Sequence, residues 1–175
     1  MKKAPRPIRV DGDVAYVTLT KSYDAIIDAG DVPLVEDRLW RAHVVYRNGG
    51  RIAHVYAMCS DYSTGKLRPL YLHRLIAGTP EGFNTDHIDG DGLNNRRANL
   101  RDATAGQNAC NRRANFNNTS GVKGVCWHKL KSKWNARIML SGKSHFLGAF
   151  DTVEDAAKAY AKASTVLHGG FGRGG

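Results

Sequence analysis

Asp86 and His87 stand side by side in the run TDHIDGDGLNNRRANLRDATAGQNACNRR (residues 85–113), and Asn108 follows about two dozen residues later. A carboxylate and an amide oxygen are hard donors, suited to a hydrated magnesium or manganese ion with positions left open for phosphate and water. An imidazole with an ordinary pKa of about 6.5 can take a proton from water at neutral pH. An acid, an imidazole and an amide in one place therefore suit metal-assisted hydrolysis of a phosphodiester.

The elements around these residues must bring them together. Asp89-Gly90-Asp91-Gly92 forms a turn after the histidine, and residues 98–113 can form a helix or a turn plus helix. A hairpin folding back onto that helix would place Asp86 and His87 near Asn108. The acidic run is not an EF-hand: a twelve-residue loop starting at Asp86 ends on Arg97, and one starting at Asp89 ends on Leu100, so neither supplies the closing glutamate. Asp89 and Asp91, beside glycines, shape the turn, as do Asn94 and Asn95. His73 lies between apolar neighbours and reads as a core histidine, and His43 and His54 lack partnered spacing. Upstream, residues 14–19 alternate like a strand and 34–40 could be a short helix. Residues 41–47 and 51–58 flank Asn48-Gly49-Gly50 as a β-hairpin, and 70–77 form a short helix or strand end before Gly78-Thr79-Pro80.

These residues resemble the HNH endonuclease family, in its variant with asparagine as third member. Asp86-His87-Ile88-Asp89-Gly90, Asn94-Asn95-Arg96, Asn99-Leu100-Arg101 and Asn108 stand in the family's order and spacing, and Leu72-His73-Arg74-Leu75-Ile76 looks like its upstream segment. The resemblance covers about residues 70–113. It implies a ββα-metal fold with His87 as general base, Asp86 and Asn108 holding one divalent ion (Mg2+ or Mn2+), and Asn99 bracing the loop and orienting the histidine.

An Asn-rich stretch, 114–119, reads as a linker between this module (1–113, with a β-rich N-terminal extension) and a second one (120–170), followed by a flexible tail at 171–175. Residues 122–129, 133–140 and 144–149 read as three strands, with Ser141-Gly142-Lys143 as a tight turn. Thr152 starts a helix that ends at Gly169-Gly170 and turns Ala156, Tyr160, Ala163 and Leu167 to the sheet. Strand parity sends Trp134, Ala136 and Ile138 inward and Lys133, Asn135 and Arg137 outward. Lys123-Gly124-Val125, the run 133–138, the run 147–151 and the run 156–160 resemble the APETALA-two/ethylene-response-factor DNA-binding domain. That likeness implies a three-stranded sheet docked in the major groove. Where the plant domains read DNA, this chain carries Cys126, His128, Met139, Ser144 and Phe146, so the plant target site does not transfer.

Charge agrees with a polyanionic partner. Residues 96–143 hold eleven Lys and Arg against one acid, Asp102, which accounts for the whole net charge of +10. Arg96, Arg112, Arg113, Lys123, His128, Lys133, Asn135 and Arg137 are the candidate DNA contacts. Three scattered cysteines and the lack of an apolar span or leader pattern suggest a soluble, cytoplasmic protein, in a host cell if phage-encoded.

The expectation is an α+β chain, a ββα-metal module followed by a three-stranded antiparallel sheet on one helix. It would be a monomeric, metal-dependent endonuclease of the homing type, nicking one strand of duplex DNA without a small-molecule cofactor or membrane. The alternatives are an inactive DNA-binding regulator, a nuclease accessory to phage packaging or repair, and an RNA binder suggested by the Gly-rich end.

Overall fold

The computed structural model describes residues 4–47, 49–112, 114 and 118–172. Arg113, Asn48 of the expected hairpin turn, half of the expected linker (115–117) and the end of the expected tail (173–175) lie outside the described residues. The chain is α+β, built of small sheets and short helices, and divides into two compact units, 1–102 and 103–175. The division falls before the expected boundary at 113.

In the first unit, β1 (Ile8–Asp11), β2 (Val14–Thr18) and β3 (Asp24–Asp28) form an antiparallel meander. One face of β2 and β3 supplies Ala15, Val17, Ala25 and Ile27 to the core, the alternation a half-buried strand requires. Helix α1 (Val32–Val35) is shorter than the expected 34–40 and starts earlier, because Pro33 has the fixed φ that suits a first turn. Trp40 is buried beside it and donates its indole N–H to the Val35 carbonyl at 2.9 Å.

A second antiparallel sheet joins β4 (Arg41–Tyr46), β5 (Ile52–Asp61) and β6 (Arg68–Tyr71). Ala57 and Cys59 of β5 face the core. Helix α2 (Leu72–Ala77) follows β6 directly, buries Leu72 and Ile76, and ends at Gly78, whose φ of 64° is the left-handed cap. Strand β7 (Asn84–His87) then pairs with β8 (Leu100–Ala103). Of the two expectations for residues 98–113, the turn plus helix is the nearer: a 3-10 turn at Arg97–Asn99 is followed by β8, and the helix begins only at residue 105.

The second unit opens with α3 (Ala105–Cys110), whose start is fixed by a capping box between Thr104 and Gln107. Strands β9 (Val125–His128), β10 (Lys133–Leu140) and β11 (Lys143–Phe150) form an antiparallel sheet with β10 in the centre. Ser141 and Gly142, with φ of 50° and 78°, make the turn between β10 and β11 that matches the twist of a hairpin. Helix α4 (Val153–His168) is capped by Thr152, which accepts from the Asp155 N–H at 3.1 Å. Its Ala156 and Tyr160 pack on Val125, Ala136 and Ile138. Gly124 lies so close beneath Tyr160 that a Cβ there would sit 2.3 Å from the ring.

Two expectations for this unit need correction. Leu167 is exposed, since it lies in the last turn of α4 beyond Ser164, the last buried position. Asn135 is buried, not outward to solvent, because it sits on the central strand between its register partners Cys126 and Ala149.

Each unit carrying its own core, Ile27→Ala and Ile138→Ala should each cost about 2–5 kcal/mol in urea unfolding. Leu130→Ala, at a side chain 95% exposed, should cost under about 0.5 kcal/mol; an equal loss at all three positions would contradict this packing.

Candidate functional site

His87 ends β7, 94% buried by its 6% exposure, and the loop that follows it is held by a dense set of hydrogen bonds. Asn95 is fully buried and reaches three ways. Its backbone N–H donates to Ile26 of β3 at 2.7 Å, its side-chain NH2 donates to the Leu93 carbonyl at 2.9 Å, and its Oδ1 lies 3.2 Å from His87 Nε2. Because the NH2 is committed to a carbonyl, the amide presents its oxygen to the imidazole. Nε2 must then carry the proton, and Nδ1 is the ring's accepting nitrogen. Asn95, expected only to shape a turn, is a functional residue the sequence reading missed. Its partner Ile26 lies far away in the chain, so spacing carried no signal of it.

Asn99 braces the same loop. Its NH2 donates to Asp89 Oδ1 at 2.9 Å and to the Asn94 carbonyl at 2.7 Å, and its Oδ1 accepts from the Asp89 N–H at 3.0 Å. Asp89 also accepts from the Asp91 N–H and from Asn94. Burial would raise the Asp89 pKa, but these bonds outweigh it and hold the carboxyl below its usual range. Gly92 allows the loop to touch β5: a Cβ there would lie 2.4 Å from the Val55 carbonyl oxygen and 2.6 Å from the Tyr56 ring.

Asp86 is buried and its Oδ2 is gripped by Arg101 of β8, with Nε at 2.8 Å and Nη2 at 2.7 Å. Arg101 was not among the expected site residues. Asn108 lies on α3 of the second unit, its N–H bonded to Thr104.

His73 and His87 meet edge to face, 5.0 Å between ring centres. Burial pushes the His73 pKa down to about 3, helped by the His87 and Arg74 charges. Burial also lowers that of His87, against the opposing effects of the Asn95 bond and of Asp89, Asp86 and Asp91. Both rings are therefore held toward the neutral form, which for His87 is the form able to accept a proton.

The candidate DNA contacts fare differently. Arg96 is paired with Asp28 at 2.8 Å, and its neighbour Arg97 forks onto Asp31. Lys123 donates to the Cys110 carbonyl at 2.6 Å, His128 Nδ1 accepts from the Lys131 N–H at 3.3 Å, and Lys133 is paired with Asp151. Arg112 is exposed, as is Arg137, whose guanidinium lies 5.5 Å from the centre of the exposed Phe146 ring.

Among the described residues no three His, Cys, Asp or Glu side chains gather as a metal cage. A hydrated magnesium or manganese ion needs less, one or two protein oxygens with water and phosphate completing its shell. The Asp86 carboxylate is a donor of that chemistry. No helix of the described residues is long and apolar enough to cross a membrane.

A neutral histidine fixed by an amide at the end of a short strand pair is a site suited to hydrolysis, and similarity to a named HNH endonuclease points to the nucleases as its class. That protein, from Acanthamoeba polyphaga mimivirus, is 32% identical over 117 residues, 63% of this chain and 58% of its own length. The chain belongs to the family of Protein 3.8 of Escherichia phage T7, with which it is 38% identical over 94 residues, 54% of this chain and 77% of that protein. No family model matches the chain. No solved structure matches it.

Asn95→Ala should leave the imidazole N–H without its acceptor and cost about 1–3 kcal/mol. Nitrogen–proton correlation spectra should show the His87 ring losing its single Nε2–H tautomer, and an unchanged tautomer would rule out the orienting role. The second test concerns pH. Between about 6.5 and 3 the unfolded chain binds a proton that folded His73 refuses, so acid should destabilise by up to about 1.4 kcal/mol per pH unit. His73→Phe should flatten that dependence in urea melts at pH 7 and 4.5, and parallel curves for the two proteins would disprove it.

Proposed function

We propose that the chain is a metal-dependent DNA endonuclease in which His87 is the general base. The observation that carries this reading is the buried imidazole held neutral beside Asp86, with Asn95 fixing the proton on Nε2. Nδ1 takes a proton from a water molecule, and the resulting hydroxide attacks the phosphorus as the bond to the leaving oxygen breaks. Asn99 and Asp89 hold the loop still, so the imidazole need not be ordered when substrate binds. Arg101 keeps the Asp86 carboxylate in one orientation. A divalent ion, when bound, would polarise the phosphate and stabilise the leaving oxygen. Asp86 would be its carboxylate ligand, with water and phosphate completing the shell.

The second unit, a three-stranded sheet packed on one helix with Arg137 and Phe146 exposed, would hold duplex DNA. With one catalytic imidazole per chain, a monomer would nick a single strand. Kinship with a phage protein supports a phage-encoded enzyme, and the homing type is the role its site and DNA-holding unit suit best.

The test is cleavage of supercoiled plasmid with magnesium or manganese. Wild type should yield open circles, EDTA should stop the reaction, and His87→Ala should slow it at least a hundredfold. Because the His87 pKa is lowered, activity should persist as pH falls through 6.5, with the acid limb of kcat/KM below that value. No cutting by wild type with either ion, or equal cutting by His87→Ala, would sink the reading.

A further inference from the structure

We propose that the outer face of the β4–β5–β6 sheet is a platform on which an unpaired DNA strand stacks as it approaches His87. Six rings form a continuous stripe in the first unit. His54 stacks on Tyr56 at 5.9 Å, and Tyr56 lies 6.1 Å from His87, 5.7 Å from His73 and 6.1 Å from Tyr71. Tyr71 in turn stacks on His73 at 5.3 Å and meets the edge of His43 at 5.9 Å.

Strand register explains the stripe. His43 is opposite Tyr56 and Tyr71 opposite Met58, so these side chains share the face that Ala57 and Cys59 turn away from. Burial is graded along it: His54 is exposed, Tyr56, Tyr71 and His43 are half-buried, and His73 and His87 are buried. The stripe thus runs from solvent to the base.

Charge identifies the occupant. Residues 41–71 carry five bases, Arg41, Arg47, Arg51, Lys66 and Arg68, against one acid, Asp61, a net charge of +4. All five bases are exposed, while Asp61 is engaged by Arg38. Arg41 shares the strand parity of His43, and Arg47, Arg51 and Lys66 lie in the connections of the sheet, so rings and exposed cations together fit a strand with exposed bases and a phosphate backbone. Paired bases show only their edges in the grooves, so ring stacking selects a strand opened at the cut.

This inference takes from the nuclease reading only that a DNA strand reaches His87. Its test is binding, measured on the full chain in EDTA by fluorescence anisotropy at fixed salt, with one labelled sequence as single strand and as duplex. His54→Ala and Tyr71→Leu should each weaken single-strand binding at least fivefold and change duplex binding less than twofold. His54→Phe, which keeps a ring, should retain wild-type affinity. His54 is exposed, so its variants test the surface without disturbing the core, and circular dichroism checks the fold of each. Unchanged single-strand binding in the folded His54→Ala protein, equal losses on both DNA forms, or failure of the phenylalanine variant to retain affinity would overturn the proposal. Plasmid cleavage is read separately: ring-dependent strand binding by a protein that never cuts would sink the nuclease reading alone.

Discussion

The contact on which the first unit turns is the one between Asn95 and His87. An imidazole largely withdrawn from water has little solvent to settle its tautomer, so a protein group does it, and the fully buried Asn95 supplies the oxygen. The amide itself is placed by a second set of bonds. Ile26 of β3 accepts from the Asn95 N–H and donates to the Leu93 carbonyl at 2.8 Å, so the loop is laced to the first sheet as if it were a further strand. Arg96 to Asp28 and Arg97 to Asp31 close the same seam with charge. The N-terminal strands therefore take part in orienting the His87 imidazole.

The electrostatics of the site follow from that enclosure. Burial disfavours charge on both His73 and His87, while the carboxylates nearby are each stabilised by donors, Asp86 by Arg101 and Asp89 by Asn99, Asn94 and a backbone N–H. The Asp89 carboxyl is held low by its donors, and the two imidazoles, which also lie against each other and Tyr56, are held low by burial.

The sequence made the local parts legible and the distant ones opaque. Asp86, His87 and the loop residue Asn99 were readable because they lie in one short run of fixed spacing, and α4 because Thr152 and the apolar positions of a helix repeat on a short period. Asn95 reads as a turn former in the sequence because its acceptor in β3 is 69 residues away, and no periodicity carries such a pairing. Arg96 looked like a phosphate ligand until Asp28 was found against it. Asn135 followed strand parity but not burial, which depends on both neighbouring strands. The charge count found the excess at 96–143 yet averaged away the one at 41–71, because acids elsewhere in the chain cancelled it on paper.

The seam between β3 and the site loop has a bearing on when in folding the site takes shape. During synthesis the acceptor at Ile26 emerges long before Asn95 and His87, and the long sequence separation makes their meeting a late event of folding rather than a local reflex of the motif. The motif can be complete in letters while the imidazole still tumbles in solvent. The meander at residues 8–28 therefore does more than fill the core: until Ile26 is in place, the loop lacks the frame on which the Asn95 amide is held against the imidazole.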